Sequence, residues 1–488
     1  MRITSVFLFL ALILAFTFSC RRDEEIFDDS SAQLTFSTDS VSFDTVFTTV
    51  GTTTQNFRVY NPYKETIRIS SIRLNGGQSS TFRMNVDGRP GPYHENIEIA
   101  PEDSMYIFVE ATVDPNNDQN PFVISDYIEF TTNGNRQQID LVAWGQNAIY
   151  YTPDRFNRNL PDYSSASGNY NETAETITWT DSLPIVVYGY VFVDSLDQLN
   201  IEKGTKIYFH NNAGIWVYRG GTIRVNGTKE EPVIFRGDRL EMAYEDVPGQ
   251  WDRIWINEGG IHSINYAVIK NAFIGIQAEI LPLEPKVPNW NISITNTKIL
   301  NCSGIGLLSS FYNVDAKNLL VGNCGQYNAV LRGAGEFDFT HCTFGNYFDD
   351  EERETPCFFV QNSFAFSGNQ LVTSNPEVNI KNSIIYGDKD DELQIDVINN
   401  GEILFDVENS ILKTQLSTAD NSKFKNIVKN PPDQIFTDPR AGDFRIYETS
   451  FARNQGNITF GNQVPLDLDG NSRTSDGQPD LGVYEFQP

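Results

Sequence analysis

Leu199-Asn200-Ile201-Glu202-Lys203-Gly204-Thr205-Lys206-Ile207, followed by Gly220-Gly221-Thr222-Ile223-Arg224-Val225-Asn226-Gly227-Thr228, decides the fold. In each half an apolar residue alternates with a polar one over three to five positions, and glycine then ends the run. Such segments are short strands with one face buried. Residues 191–193, 206–209, 215–218 and 233–235 repeat the pattern, broken by Gly204, Gly214, Gly220-Gly221 and Gly227.

Further along, the units lengthen but stay in step. Ile269 and Asn271 align with Ile299 and Asn301, and Asn301-Cys302 and Asn323-Cys324 lie 22 residues apart. Asn382-Ser383-Ile384 and Asn409-Ser410-Ile411 restate the motif. A period in the low twenties with three short strands per unit predicts a parallel β-helix, in which no coil buries its apolar side chains alone. The competing arrangement is a second sandwich with accidental repeats.

Residues 33–147 read differently. Strand-like runs at 41–46, 55–60, 66–74, 96–99, 104–113, 127–132 and 137–143 are punctuated by Asn61-Pro62, Asn75-Gly76-Gly77, Pro101-Glu102-Asp103 and Asn133-Gly134. About seven short strands in this length fit a β-sandwich. Long helical periodicities are absent, so the chain is expected to be all-β.

The start of the chain carries an address. Arg2 precedes an apolar run from Val6 to Phe16, then Thr17-Phe18-Ser19-Cys20 and the charged stretch Arg21-Arg22-Asp23-Glu24-Glu25. A positive start, an apolar run and a small residue describe a secretory signal. The run is short for a span, which needs about 20 residues. No second run is long enough to cross a membrane. The formal charge of −28 argues against binding a nucleic-acid backbone. Cys302, Cys324, Cys342 and Cys357 would be free to pair in an oxidising compartment, but their placement inside the repeat points to a stack of small apolar side chains.

Several resemblances rest on these residues. Ser19-Cys20 resembles the lipoprotein signal, in which the cysteine is lipidated. Asp23-Glu24-Glu25 resembles the export signal of surface lipoproteins of the Bacteroidetes. These imply an outer-membrane lipoprotein exposed on the cell surface, tied to the membrane through Cys20. Phe43-Asp44-Thr45-Val46, Val50-Gly51, residues 57–61 and 67–72, Phe82, Ala100-Pro101 and residues 126–145 resemble the ASPM, SPD and Hydin type of immunoglobulin-like domain, which implies a spacer or binding module. The two opening stretches, with Gly249-Gln250-Trp251-Asp252-Arg253-Ile254-Trp255-Ile256, resemble the first coils of right-handed parallel β-helices of the pectate-lyase-like family. Residues 465–473 and 479–486 are similar to the end segment of surface β-helix proteins of the choice-of-anchor Q type. The expected order is a signal at 1–19, an acidic tether at 20–32, an immunoglobulin-like sandwich at 33–147, a linker at 148–180, a right-handed parallel β-helix at 181–460 and a closing cap at 461–488.

The chemistry is less explicit. Asp349 and Asp350, and Asp390 and Asp391, stand in acidic runs that leave predicted strands, where β-helix enzymes on polysaccharides place their carboxylates. Solvated loop tips explain the same runs. A catalytic role needs an Arg or Lys on the adjacent coil, and Arg332 and Lys381 are the candidates. Asp467, Asp469 and Asp480 partly match a calcium loop, but Leu468, Gly470 and Ser472 leave the ligand pattern incomplete, and a structural turn is the alternative. No other cofactor is expected. His94, His210, His262 and His341 show no metal-ligand spacing. Trp216, Tyr218, Trp251 and Trp255 are candidate platforms for sugar rings, with Tyr266 and Trp290 behind them; a place in the core or at a coil cap is the competing reading of each. Trp216 and Tyr218 share a face at period two, and Trp251 and Trp255 would do so in a plain strand. The leading expectation is a non-catalytic module that binds a polysaccharide or a surface protein; the rival is a polysaccharide lyase or glycoside hydrolase using acidic residues on one face.

Overall fold

The computed structural model describes residues 26–48, 51–114, 122–170, 173–280, 291–366, 370–399, 401–432 and 435–487. Cys20, the acidic cluster behind it and Trp290 lie outside the described residues. The protein is all-β and divides into two compact units at Asn147 and Ala148. Among the described residues no helix is long and apolar enough to cross a membrane.

The first unit is an immunoglobulin-like sandwich of two five-stranded sheets. One holds, in spatial order, Thr35–Phe36, Gln55–Tyr60, Ser104–Ala111, Phe82–Val86 and Arg89–Pro90; the other holds Ser40–Phe47, Asn135–Gln146, Phe122–Thr132, Ile67–Leu74 and Tyr93–Ile99. Alternation fixes their faces. In Ile67–Leu74, Ile67, Ile69, Ile72 and Leu74 are buried and meet Phe57, Val59, Phe82 and Ile107 of the opposite sheet in one core.

The second unit is a parallel β-helix. Each coil contributes one strand to a nine-stranded sheet and two strands, or one long strand that spans both positions, to a seventeen-stranded sheet. One coil runs through Trp251–Asn257, Ile261–Asn265 and Ala267–Lys270 before Ala272–Glu279 opens the next. Strands on successive coils pair in parallel, so like positions stack. On the nine-stranded sheet Val191, Ile215, Ile254, Ile276, Leu307, Ala329, Phe358 and Leu393 form one inward column, and all are fully buried. Each such side chain contributes about 1.5–3 kcal/mol once removed from water. Cys302, Cys324, Cys342 and Cys357 are free and buried in this core.

Two corners of the coil require left-handed backbone, which explains the asparagines. Tyr266, Asn296, Asn318, His341, Asn382, Asn409 and Asn426 occupy one corner on successive coils, at φ between 46° and 53°. Neighbouring amides bond along the stack: Asn318 Nδ2 donates to Asn296 Oδ1 at 2.9 Å, and Asn382 Nδ2 to His341 Nε2 at 3.0 Å. Asn271, Asn301 and Asn323 occupy the other corner. The Asn-Cys and Asn-Ser-Ile motifs therefore mark different corners. They are not one motif restated.

Two expected boundaries move. Residues 148–180 form the first coil instead of a linker: Ile149–Tyr151, Tyr163–Ser165 and Thr176–Trp179 pair in parallel with Ile185–Val187, Tyr190–Val193 and Gln198–Glu202. The last coil strand is Phe424–Lys429, and residues from 435 on lie along the flank of the coils instead of closing their end. This strap packs Ile435, Phe436, Phe444, Leu468, Leu481 and Tyr484 against outward-facing Leu320, Ile384 and Ile411. Gly322 and Gly345 make room for it, since a Cβ at either would run into the Phe444 ring.

Candidate functional site

The outward face of the nine-stranded sheet gathers the side chains that resemble a site. Parallel pairing in register lays them in columns. One column runs Phe192, Trp216, Trp255, Gln277, Leu308, Val330, Phe359 and Gln394. Beside it, two residues along each strand, run Asn257, Glu279, Ser310, Arg332, Gln361 and Asp396. The first column is aromatic at its start. Trp216 and Trp255 stack at 5.1 Å with an interplanar angle of 14°, and Phe192 and Tyr218 meet Trp216 edge-on at 5.1 Å and 5.6 Å. Trp216 is buried, while Trp255 and Tyr218 are half-buried.

The polar column is tied to the aromatic one. Trp216 Nε1 donates to Asn257 Oδ1 at 2.6 Å, and Trp255 Nε1 to Glu279 Oε1 at 2.9 Å. Gln277 Nε2 donates to the same Glu279 oxygen at 2.7 Å, and Gln277 Oε1 accepts from Arg253. Arg253 also pairs with Asp252 at 2.8 Å, which accepts from the Tyr190 hydroxyl. Gln361 Nε2 donates to Asp396 Oδ2 at 3.0 Å. Each carboxylate on the face is thus held by a neighbour and fixed in orientation.

Two groups are not matched. Asn257 is fully buried, and its Nδ2 has no partner among the described residues. Arg332 Nε donates to Ser310 Oγ at 3.0 Å and the guanidinium lies 5.2 Å from the Phe364 ring, but no carboxylate bonds it among the described residues. Burial pushes the Arg332 pKa down, with Glu279 opposing. An arginine held this way favours an incoming acceptor. The arrangement offers a flat ring, fixed acceptors and an open fork of donors in one line.

The sequence-predicted residues fall in several places. Trp216, Tyr218 and Trp255 lie on this face, and so does Arg332. Trp251 does not. The pairing shifts register between Arg253 and Ile254, which turns Trp251 inward. There it stacks on Phe209 at 4.2 Å and donates to the Lys270 carbonyl, sealed from any sugar. Tyr266 starts the asparagine corner.

The acidic runs are not gathered with Arg332 or Lys381. Asp349 pairs with Arg440 of the strap at 2.9 Å. Asp350 is exposed; partial burial and then the like charges of Asp349, Glu351 and Asp246 lift its carboxyl above the usual range. Asp390 is exposed, and Asp391 accepts from Thr414 Oγ1 at 3.0 Å and Gln415 N at 3.1 Å. The base that joins the two runs is Arg353, from within the first. It is buried, pairs with Glu392 at 2.6 Å and Asp388, and clasps adjacent turns. Lys381 bridges Asp406 and Glu408 instead.

The calcium expectation meets a turn. Buried Asp467 accepts from Asn471 N at 2.6 Å and Glu485 N at 2.9 Å, and Asp480 from Asn454 N and Phe486 N, both at 2.6 Å. Asp469 pairs with Arg445 at 2.8 Å. Among the described residues no three His, Cys, Asp or Glu side chains come together to hold a metal ion.

Asn257, Gln277, Glu279 and Ser310 were not singled out from sequence. The signal was there: Asn257 and Glu279 are 22 residues apart, as are Ser310 and Arg332, so the repeat places each pair on one face.

No family model matches the chain, and no curated protein is similar to it. Among solved structures, a family 123 glycoside hydrolase from Clostridium perfringens, studied for glycolipid glycan hydrolysis, aligns at 8% identity with a TM-score of 0.17. The match covers 23% of this chain and spans 26% of that one, and it carries no argument about this protein.

Proposed function

We propose that this chain is a lipid-anchored protein of the outer cell surface that binds glycans, without cleaving them, along the outward face of its nine-stranded sheet. The observation that carries the reading is the continuous line from the Trp216–Trp255 stack through Gln277 and Glu279 to Arg332. A ring face suits the C–H face of a sugar, and fixed amides, carboxylates and a guanidinium suit its hydroxyls. The bonds already made within the line favour holding a ligand over acid–base work, for which a carboxyl must be free to exchange a proton with the substrate.

The test is to titrate the mature chain with acidic and neutral polysaccharides, with and without calcium, and to assay the products. Retention of at least one polysaccharide, weakened about tenfold by Trp255→Ala, is the expected result. New reducing ends or unsaturated sugars would replace this reading by the lyase or hydrolase reading. The anchor is tested separately: Cys20→Ala should release the protein from the membrane fraction.

A further inference from the structure

The sandwich carries a second cleft, unrelated to the face described above. It has a volume of about 600 Å³, within the range of pockets that bury a small ligand. Gln78, Arg83, Asn85, Phe108 and Glu110 surround it, over a floor that includes Phe82 and Met84. Period-two alternation in Ser104–Ala111 sends Met105, Ile107 and Val109 into the core and Tyr106 and Phe108 outward. These two rings lie 6.0 Å apart at 23°, and are 37% and 38% exposed. The Arg58 guanidinium sits 4.5 Å from the Tyr106 ring and steadies it.

Asn85 is the cross-strand neighbour of Phe108, and its Oδ1 is buried with no partner among the described residues. An acceptor left in this state is costly to bury, and a ligand donor would recover that cost. The charged groups on the cleft are Arg83 and Glu110, backbone partners across the strand pair whose formal charges sum to zero, and Arg83 Nη1 donates to the Ser80 carbonyl and, at 2.9 Å, to the Phe82 carbonyl. On a chain of net charge −28 that local neutrality selects an uncharged ligand. A ring face for C–H groups, an acceptor short of a donor, and a balanced pair able to accept and donate together describe one ligand chemistry: a neutral polyhydroxylated ring.

We infer that this cleft is a second saccharide site, in which a neutral sugar stacks on Phe108 and donates a hydroxyl hydrogen to Asn85 Oδ1. The test uses the whole chain carrying Trp255→Ala, which weakens the β-helix face, so that the effect of further substitutions in the cleft is read against that background. Affinity electrophoresis is run through starch, dextran, mannan and xylan. The expected result is retardation by at least one of them, falling about tenfold on adding Phe108→Ala or Asn85→Leu. The thermal midpoint should hold in Phe108→Ala and hold or rise in Asn85→Leu, which removes the orphan oxygen. Absence of retardation by all four, or retardation indifferent to both substitutions, overturns the inference. The reading of the β-helix face stands or falls on its own titration, with Trp255 intact.

Discussion

On the flank under the strap, one outward column holds Leu300, Gly322 and Gly345 on successive turns, and Phe444 of the strap fills the space that the two glycines leave. On the nine-stranded sheet, the outward positions hold Trp216, Trp255 and Gln277 beside Glu279 and Arg332, and these bond chiefly among themselves. Both faces come from one repeat and one pairing rule. Two glycines in register, between Leu300 and Tyr386, make a gap that the chain fills from its own C-terminal segment. Large aromatic and polar residues in register make a surface whose polar groups bond to one another and suit a ligand. The sealed flank differs by its apolar outward residues, Leu320, Ile384, Tyr386 and Ile411, around a two-glycine gap that admits the Phe444 ring.

The comparison breaks first on the sealed side. Phe444→Ala leaves a cavity against Gly322 and Gly345, and we expect a loss of about 3–5 kcal/mol in denaturant unfolding. Arg473→Ala should cost a similar amount. It removes the buried partner of Glu485, at 2.8 Å, and of Asn318 Oδ1, at 2.5 Å, and leaves a carboxylate uncompensated. A change below about 1 kcal/mol in both variants would mean that the strap does not seal the flank.

Acid gives the next effect. His262 accepts from Ile223 N at 3.2 Å through Nδ1 and lies with Nε2 3.4 Å from the Glu258 carbonyl, so it is held neutral. Burial lowers its pKa to about 4, and burial with the nearby Arg473 charge lowers that of His341. The unfolded chain takes up these protons near pH 6.5 and the folded chain refuses them. Stability is therefore whole above about pH 6.5 and is lost as pH falls toward 4, on the order of 3 kcal/mol for His262. Urea midpoints across that window should fall for the native chain and fall less for His262→Gln.

Arg332→Gln should act in the opposite manner to Arg473→Ala, although both remove a guanidinium. Among the described residues Arg332 has one hydrogen bond, to a neutral hydroxyl, so stability should move by less than about 1 kcal/mol. Glycan retention on the β-helix face should weaken about tenfold, and a titration with the same polysaccharides reads it. The smallest effect is expected at Asp469→Asn. Its pair with Arg445 is exposed, and the midpoint should shift by no more than about 0–1 kcal/mol, with and without calcium.

Much of the architecture was legible because its cause is local. Alternation in 206–209 and 222–226 names the inward residues without knowledge of their neighbours. Asparagine in a left-handed corner is a property of one residue and its backbone. The site was legible in part. Trp216, Tyr218, Trp255 and Arg332, singled out from sequence, lie on the candidate face, while Glu279 and Gln277 were passed over because isolated polar residues in strands attract no notice until the repeat is projected onto a face. The acidic runs attracted notice for the opposite reason, since dense charge is conspicuous, yet Asp391 and Asp349 are held by Thr414 and Arg440.

The sequence by itself determined the all-β class, the sandwich followed by the stacked coils, the period of 22 in the longer units, and the apolar columns in which the free cysteines lie. These follow from the two-residue period of a strand and the need of each coil for a neighbour. Only the tertiary structure decided register and closure. Trp251 and Trp255 stand four residues apart and would share a face, but one shift in pairing beside Arg253 sends the first into the core and leaves the second outside. Arg473 reaches Asn318 across 155 residues of chain, a contact that no local pattern encodes. Inward and outward are set by the strand; which coil, which corner and which distant segment a side chain meets are set by packing between turns.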